Sequence, residues 1–495
     1  MPRIQRNLLP SIFLLLLTIG AYFPVLKANF IWDDDQFLTQ NPVLVEPGGF
    51  RDIWLKPGAT FQYYPLLYTS FLIEHRLWGL NPVGYHVNNI LLHGLSAILL
   101  WVFLKKINMP GAWFAAALFA LHPVHVESVA WVSERKNTLS GLFFFLALGA
   151  YGKFSNGFKV VARTHIENQR LWYVTSLLLF LAALFSKTTV CLMPVSILIL
   201  YWVRSKRFRW SNDFLFLVPF FILGWMFSRF TVLMELEIVG ADQLSWNISF
   251  LQKCEIAGRA LWFYLGKLVW PHPLIFSYPK WVLSEVVWEN LIPGILFFIL
   301  ISIAWAGVRR WGKGPVAGLL WFGALLFPAL GFFAVYPFRF SFVADHFQYL
   351  ASVGPICVIA ASIGSLRFNK WRQTIKIGVL VVCAVLTWKQ TQIYRDAETI
   401  WRDTLRKNTE SWLAAANLGV ISLEKGNILD AELFFSESLK REPKNFNAHA
   451  GLGVALAMQG KNVDALRCFE EAIRLEPKFL PAVHLREDLL LKMNK

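Results

Sequence analysis

The run Leu8-Leu-Pro-Ser-Ile-Phe-Leu-Leu-Leu-Leu-Thr-Ile-Gly-Ala-Tyr-Phe-Pro-Val-Leu26 carries no charged side chain. It is about as long as the ~20 apolar residues a helix needs to cross a bilayer. The residues before it are basic (Met-Pro-Arg-Ile-Gln-Arg6) and no small-residue cleavage site follows, so it reads as a retained first span. The same pattern returns along the chain and predicts further spans at 84–104, 111–127, 137–153, 171–186, 188–203, 213–231, 290–307, 315–336, 347–365 and 375–391. Segment 254–276 is apolar too, but it carries Arg259 and Lys267 and runs into Pro271-His-Pro273. It reads as a re-entrant or surface-lying helix. The expectation is eleven spans in an all-α membrane domain over residues 1–391, with outer loops at 27–83 and 232–289.

Composition agrees. Of 495 residues, 56% are hydrophobic and 16% charged, against about 25% charged in soluble domains. The 22 Trp and 43 Phe suit aromatic belts at two interfaces. The formal charge of +16 does not indicate nucleic acid, because Lys and Arg lie mostly between apolar blocks, where they set topology. Lys105-Lys106, the 153–170 linker, Arg204 to Arg209, Arg309-Arg310 with Lys313, and the 366–376 run all fall on one side if the N-terminus is cytoplasmic. That count puts the C-terminal region outside, in a bacterial-type inner membrane. Cys191, Cys254, Cys357, Cys383 and Cys468 show neither metal-ligand spacing nor a disulfide framework.

After Lys389 the composition becomes that of a soluble helical domain, and the sequence repeats itself. Leu418-Gly419 returns as Leu452-Gly453, Gly426 as Gly460, Ala431 as Ala465, Phe435 as Phe469 and Pro443 as Pro477. Each offset is the ~34-residue period of tetratricopeptide (TPR) repeats. Ala397 and Trp401 hold the phase of a preceding half-repeat, and 479–492 reads as a capping helix. Residues 392–495 are therefore an α-solenoid.

Several polar groups sit at the membrane edge. Phe30-Ile-Trp-Asp-Asp-Asp-Gln36 places three adjacent carboxylates beside an apolar surface. Repulsion and lost solvation raise at least one pKa there, as a general base needs; a solvated helix-breaking turn is the alternative. In Leu121-His-Pro-Val-His-Val-Glu127, His122, His125 and Glu127 are suited to a metal or phosphate, or are a helix-end pair bonded to backbone. Arg135-Lys136 and Lys187 lie on the same face, as phosphate partners or as interfacial anchors. His86, Asn89 and His93 share one helical stripe. Arg339, Asp345, His346 and Tyr349 cluster near the tenth span.

Taken in order, these motifs resemble the transmembrane-and-TPR O-mannosyltransferases and their relatives in the glycosyltransferase C (GT-C) superfamily. Phe30-Ile-Trp-Asp33-Asp34 with Asn41-Pro42 is similar to the family's first loop. Asn81-Pro-Val-Gly-Tyr-His86 is similar to its second-span entry, and His122-Pro-Val-His125-Val-Glu127 with Arg135 to its H-P-V-H-x-E segment. Ala344-Asp345-His346 to Tyr349-Leu350 resembles an A-E-R-x-x-Y-L stretch. The resemblance implies a GT-C fold, a polyprenyl-phosphate sugar donor and an acidic base in the first loop. Asp33 and Asp34 are the matched acids. Arg135 and Lys187 become candidate phosphate contacts, and His86, His122, His125, Glu127, Asp345 and His346 candidate site walls. The chain departs from the family at Tyr64 and His346, where relatives carry arginine, and at Lys187-Thr188, where a Lys-Glu pair is expected.

The expected activity is mannosyltransferase-like: transfer of a sugar from the lipid phosphate to an acceptor hydroxyl. The acceptor is a protein or glycan, and the TPR groove recruits it or a protein partner. Such a donor needs no metal; Asp34, Asp35, His122 and His125 are the ligands at hand for one. The competing readings are a membrane-tethered TPR scaffold without chemistry, and a lipid or sugar transporter.

Overall fold

The computed structural model describes residues 5–158, 166–204, 214–237, 248–283, 288–366 and 369–493. Residues 159–165 of the 153–170 linker, Ser205 to Arg209 of the basic cluster, 367–368 of the 366–376 run, and 238–247 and 284–287 of the second outer loop lie outside them. The described elements are helical. They form two units: residues 1–274 with 282–395, and residues 275–281 with 396–495.

Among the described residues of the first unit, six helices are long and apolar enough to cross a membrane: Asn7–Lys27, Pro82–Lys106, Gln169–Ser186, Leu215–Glu237, Trp288–Ala306 and Lys370–Arg395. A seventh is counted if Ala112–Leu121 and Pro123–Ala130, bent by 53°, are one span. Of the eleven expected spans, six or seven therefore have a helix of spanning length and apolarity among the described residues. A hydropathy window averages through breaks that end a helix. Thr188–Leu192 is a 3-10 turn before Met193–Arg204, Gly314–Leu326 gives way to a 3-10 turn at Phe327, and Val353–Gly364 has only 12 residues. Arg135–Phe154 begins with two cations and is mostly buried in protein. Phe250–Val269, opened by a capping box between Ser249 and Gln252, is amphipathic and is not one of the six.

Four elements position the site. Helix α1 is Gln5–Tyr22. The loop after it folds into α2, Gly49–Leu55, and α3, Pro65–Trp78. Phe37, Leu38, Leu44, Ile53, Leu67, Tyr68 and Phe71 form a core for this loop, closed by Tyr85 and Val132. Each fully buried aromatic or aliphatic side chain contributes about 1.5–3 kcal/mol, so the loop is a folded cap. Helix α4, Pro82–Lys106, starts where the Asn81 side chain accepts from the Val83 amide at 3.1 Å and Pro82 takes the first position. Its stripe of Tyr85, His86, Asn89, His93 and Gly94 is buried. A Cβ on Gly94 would lie 2.7 Å from Leu15 Cδ1, so glycine sets the approach to α1.

After α4 come α5, Ala112–Leu121, a 3-10 turn Pro123–His125, and α6, Val126–Ala130. Pro123 has no N–H to continue α5, and the His122 ring accepts from the Val124 amide at 3.4 Å. The tight segment Trp131–Glu134 then leads into α7, Arg135–Phe154.

The second unit contains Ala397–Lys407, Trp412–Glu424, Ile428–Arg441, Phe446–Met458, Asn462–Leu475 and Leu480–Met493. The repeat logic is visible atom by atom. A Cβ on Gly419 would meet the Phe435 ring at 2.8 Å, and one on Gly453 the Phe469 ring at 2.6 Å. Ala431 and Ala465 are fully buried beside them. Gly426 and Gly460 turn the chain at φ of 76° and 78°. Residues 275–281 join this unit from far upstream: Phe276 packs edge-on to Trp401 at 5.3 Å, and the Ser277 carbonyl accepts from Asn408 Nδ2 at 3.0 Å.

Candidate active site

The acids of the first loop separate into three environments. Trp32 takes φ of 46°, a conformation that costs a bulky residue about 1–3 kcal/mol. Its ring lies against Trp131 at 5.4 Å and Phe340 at 5.8 Å. Just beyond it, Asp34 is fully buried, with Oδ2 accepting from the Ile31 amide at 2.9 Å and Oδ1 from the Ser133 amide at 2.8 Å. Asp33 is half-buried and accepts from the Ser133 hydroxyl at 2.9 Å. Asp35 is exposed and bonds Thr39 Oγ1 at 2.8 Å. Burial raises Asp33 to about 6, against the opposing pull of Lys136 and the Ser133 hydroxyl. Burial, and then the neighbouring Asp33 charge, push Asp34 up to about 8.

Ser133 connects these acids to a second group. Glu134, buried, accepts from Lys136 Nζ at 2.8 Å, Lys187 Nζ at 3.3 Å and Asn137 Nδ2 at 2.5 Å. Lys187 also donates to Asn137 Oδ1 at 2.8 Å. His346 Nε2 lies 3.8 Å from Glu134, its amide donates to Glu127 Oε2 at 3.0 Å, and Nδ1 sits 3.0 Å from Glu127 Oε1. Lys136 lies over the Phe37 ring at 4.9 Å. Asp33, Asp34, Glu127, Lys187 and His346 therefore meet in one polar network. Beside it, a narrow cleft is lined by Gln62, Tyr63, Tyr64, Thr231, Met234 and Glu235.

Other candidates are placed elsewhere. The Arg135 guanidinium is fully buried in an ion pair with Glu74, donates to Asn89 Oδ1 at 2.7 Å and the Tyr85 carbonyl at 2.9 Å, and stacks on Phe71 at 4.8 Å. Asn89 in turn reaches the Val129 and Trp131 carbonyls, each at 3.3 Å. This crosspiece fixes the tight segment that carries Ser133. His122 bonds the Leu268 carbonyl at 3.1 Å; His125 bonds the Phe119 carbonyl at 2.7 Å and Ser352 Oγ at 3.0 Å. His86 is fully buried beside the Ala28 backbone. Asp345 is buried near Tyr264, whose hydroxyl accepts from the Ala344 amide at 3.1 Å. Among the described residues no group of three or more His, Cys, Asp or Glu is gathered as for a metal. Asp34, Asp35, His122 and His125 have separate partners.

Sequence reasoning missed Ser133, Glu134 and Asn137, and did not separate Lys136 from Arg135. A signal was present. Residues 135 and 136 begin a helix, where neighbours point about 100° apart, so only one of two adjacent cations can face a given site. Glu134 also supplies to Lys187 the acid that Thr188 does not.

A tetratricopeptide-repeat family model matches residues 446–479. The chain is 25% identical to protein O-mannosyl-transferase F38B6.6 of Caenorhabditis elegans over 383 residues, 72% of this chain and 51% of that protein. It is 33% identical to protein O-mannosyl-transferase TMTC2 of Mus musculus over 159 residues, 30% of this chain and 19% of that protein. With TMTC4 of Homo sapiens the figures are 30% over 184 residues, 32% and 24%. The chain thus spans about half or less of the length of the relatives it matches. It resembles the O-mannosyltransferases of the GT-C superfamily and carries C-terminal TPR repeats. These relatives are animal proteins, which overturns the expectation of a bacterial-type inner membrane. A charge count orders loops about a bilayer and contains nothing about which membrane it is.

Proposed function

We propose that the chain is a membrane glycosyltransferase that moves a sugar from a polyprenyl-phosphate donor to an acceptor hydroxyl. The observation that carries this reading is a half-buried acid, Asp33, joined through Ser133 to a buried cation cluster. Asp33 takes the acceptor proton, and its raised value near 6 suits a base at neutral pH. Asp34, tied to two backbone amides, positions Asp33 and does not touch substrate. Lys136, Lys187 and His346 stabilise the phosphate as charge develops on it. The folded first-loop cap supplies orientation, which is worth several kcal/mol of barrier, about 7–11 at best. The TPR unit recruits the acceptor or a partner protein.

The test is transfer of labelled sugar from a polyprenyl phosphate donor in membranes bearing Asp33→Asn. Loss of transfer with the protein still folded is expected. Full activity would remove the base assignment from Asp33.

A further inference from the structure

The Glu134 carboxylate is surrounded in an unusual way for a structural ion pair. Glu74, by comparison, has one cation, Arg135, and one amide, Asn88, as its donors. Glu134 instead collects donors from three separate segments. Lys136 and Asn137 come from the first turn of the 20-residue helix Arg135–Phe154. Lys187 comes from the break before the 3-10 turn Thr188–Leu192. His346 comes from the 3-10 turn Asp345–Gln348. Two ammonium groups, an amide and an imidazole converging at a helix start are the groups that hold a phosphate. Here they hold a carboxylate belonging to the protein.

We propose that Glu134 is a built-in counter-anion, keeping Lys136 and Lys187 assembled until the phosphate of a polyprenyl-phosphate donor draws them away. This rests on the glycosyltransferase reading. The other acids in reach are Asp33 and Glu235, near Lys136, and Glu127, against His346. In the reaction the acceptor oxygen bonds to the sugar's anomeric carbon. The bond from that carbon to the phosphate oxygen breaks, and its electron pair stays on the phosphate. The acceptor's proton goes to Asp33. The phosphate thus changes from one negative charge to two as Asp33 loses its own. Lys136 is released from one counter-ion when the phosphate needs it. Glu134 then competes with the product phosphate for both lysines, which speeds release.

The prediction is that weakening this competition tightens product binding. Farnesyl phosphate, a short polyprenyl monophosphate, is titrated by calorimetry into the purified full chain in detergent, with farnesol as the control without phosphate. Glu134→Gln should bind farnesyl phosphate about tenfold more tightly, and Lys136→Met and Lys187→Met about tenfold more weakly. Farnesol should bind all variants alike, and inorganic phosphate should displace farnesyl phosphate. Thermal unfolding in the same detergent reports folding; if Glu134→Gln does not fold, Glu134→Asp, with its shortened reach, should tighten binding a few-fold. Lysine variants that weaken binding while neither Glu134 variant tightens it would overturn the counter-anion role and leave the phosphate site standing. Equal binding by all variants, or no displacement by inorganic phosphate, would overturn the phosphate site itself.

Discussion

The Ser133 amide donates to Asp34 Oδ1 at 2.8 Å, across 99 positions of sequence. The same residue's hydroxyl donates to Asp33 at 2.9 Å. One serine thus fixes two adjacent acids by different means, and the two should respond differently to substitution. Asp34→Asn turns an NH₂ against one of two backbone donors and should lower stability by about 1–3 kcal/mol, read as a lower unfolding temperature. Asp33→Asn should leave that temperature nearly unchanged and reduce transfer by about 10²–10⁴-fold.

The pH dependence follows from the same pair. Transfer should rise as pH climbs through about 6, where Asp33 loses its proton, and level off above. Stability runs the other way. Both carboxyls sit above the unfolded value of about 3.9, so their contribution is fully present below that value. It is lost as pH rises through about 6 for Asp33 and about 8 for Asp34. Unfolding temperatures of wild type and Asp33→Asn between those limits check this; the variant should show the shallower decline.

Adjacent cations should part company. Arg135→Met leaves Glu74 buried without its partner and should destabilise the protein by about 3–5 kcal/mol. Adding Glu74→Met should restore much of that loss, as a calorimetric double-mutant cycle would show. Lys136→Met should cost less stability and more transfer activity.

In the repeats, Gly453→Ala places a methyl 2.6 Å from the Phe469 ring. Overpacking of this kind costs about 1–3 kcal/mol. Helicity loss on heating should begin at lower temperature in that variant.

Much of this was legible in residues. The apolar length of Leu8–Leu26 anticipates Asn7–Lys27, and the spacing from Phe435 to Phe469 anticipates two rings each against a glycine. Asp33 and Asp34 could be picked out because adjacent acids beside an apolar run are costly. Helices Gly49–Leu55 and Pro65–Trp78 were not anticipated, since their core is completed by Tyr85 and Val132, which no local window contains. Nor did the sequence separate Arg135 from Lys136, because the choice depends on Glu74 and Glu134, brought near only by the fold. The histidines drew attention as ligands, yet His125 serves the Phe119 carbonyl of the helix before the bend and His122 the Leu268 carbonyl near the end of another helix, acceptors that need a donor.

The short segment 275–281 makes the helical-repeat unit discontinuous in the gene as well as in the chain. Ser277 and Asn408 meet across 131 positions. During synthesis the earlier strand of residues must therefore wait for the later helix to leave the ribosome before Phe276 finds Trp401. A protein cut at Asp396 would expose the face of Trp401 that Phe276 covers. Supplying residues 275–281 as a fused leader should restore solubility to such a fragment, because the fusion presents that peptide at high effective concentration.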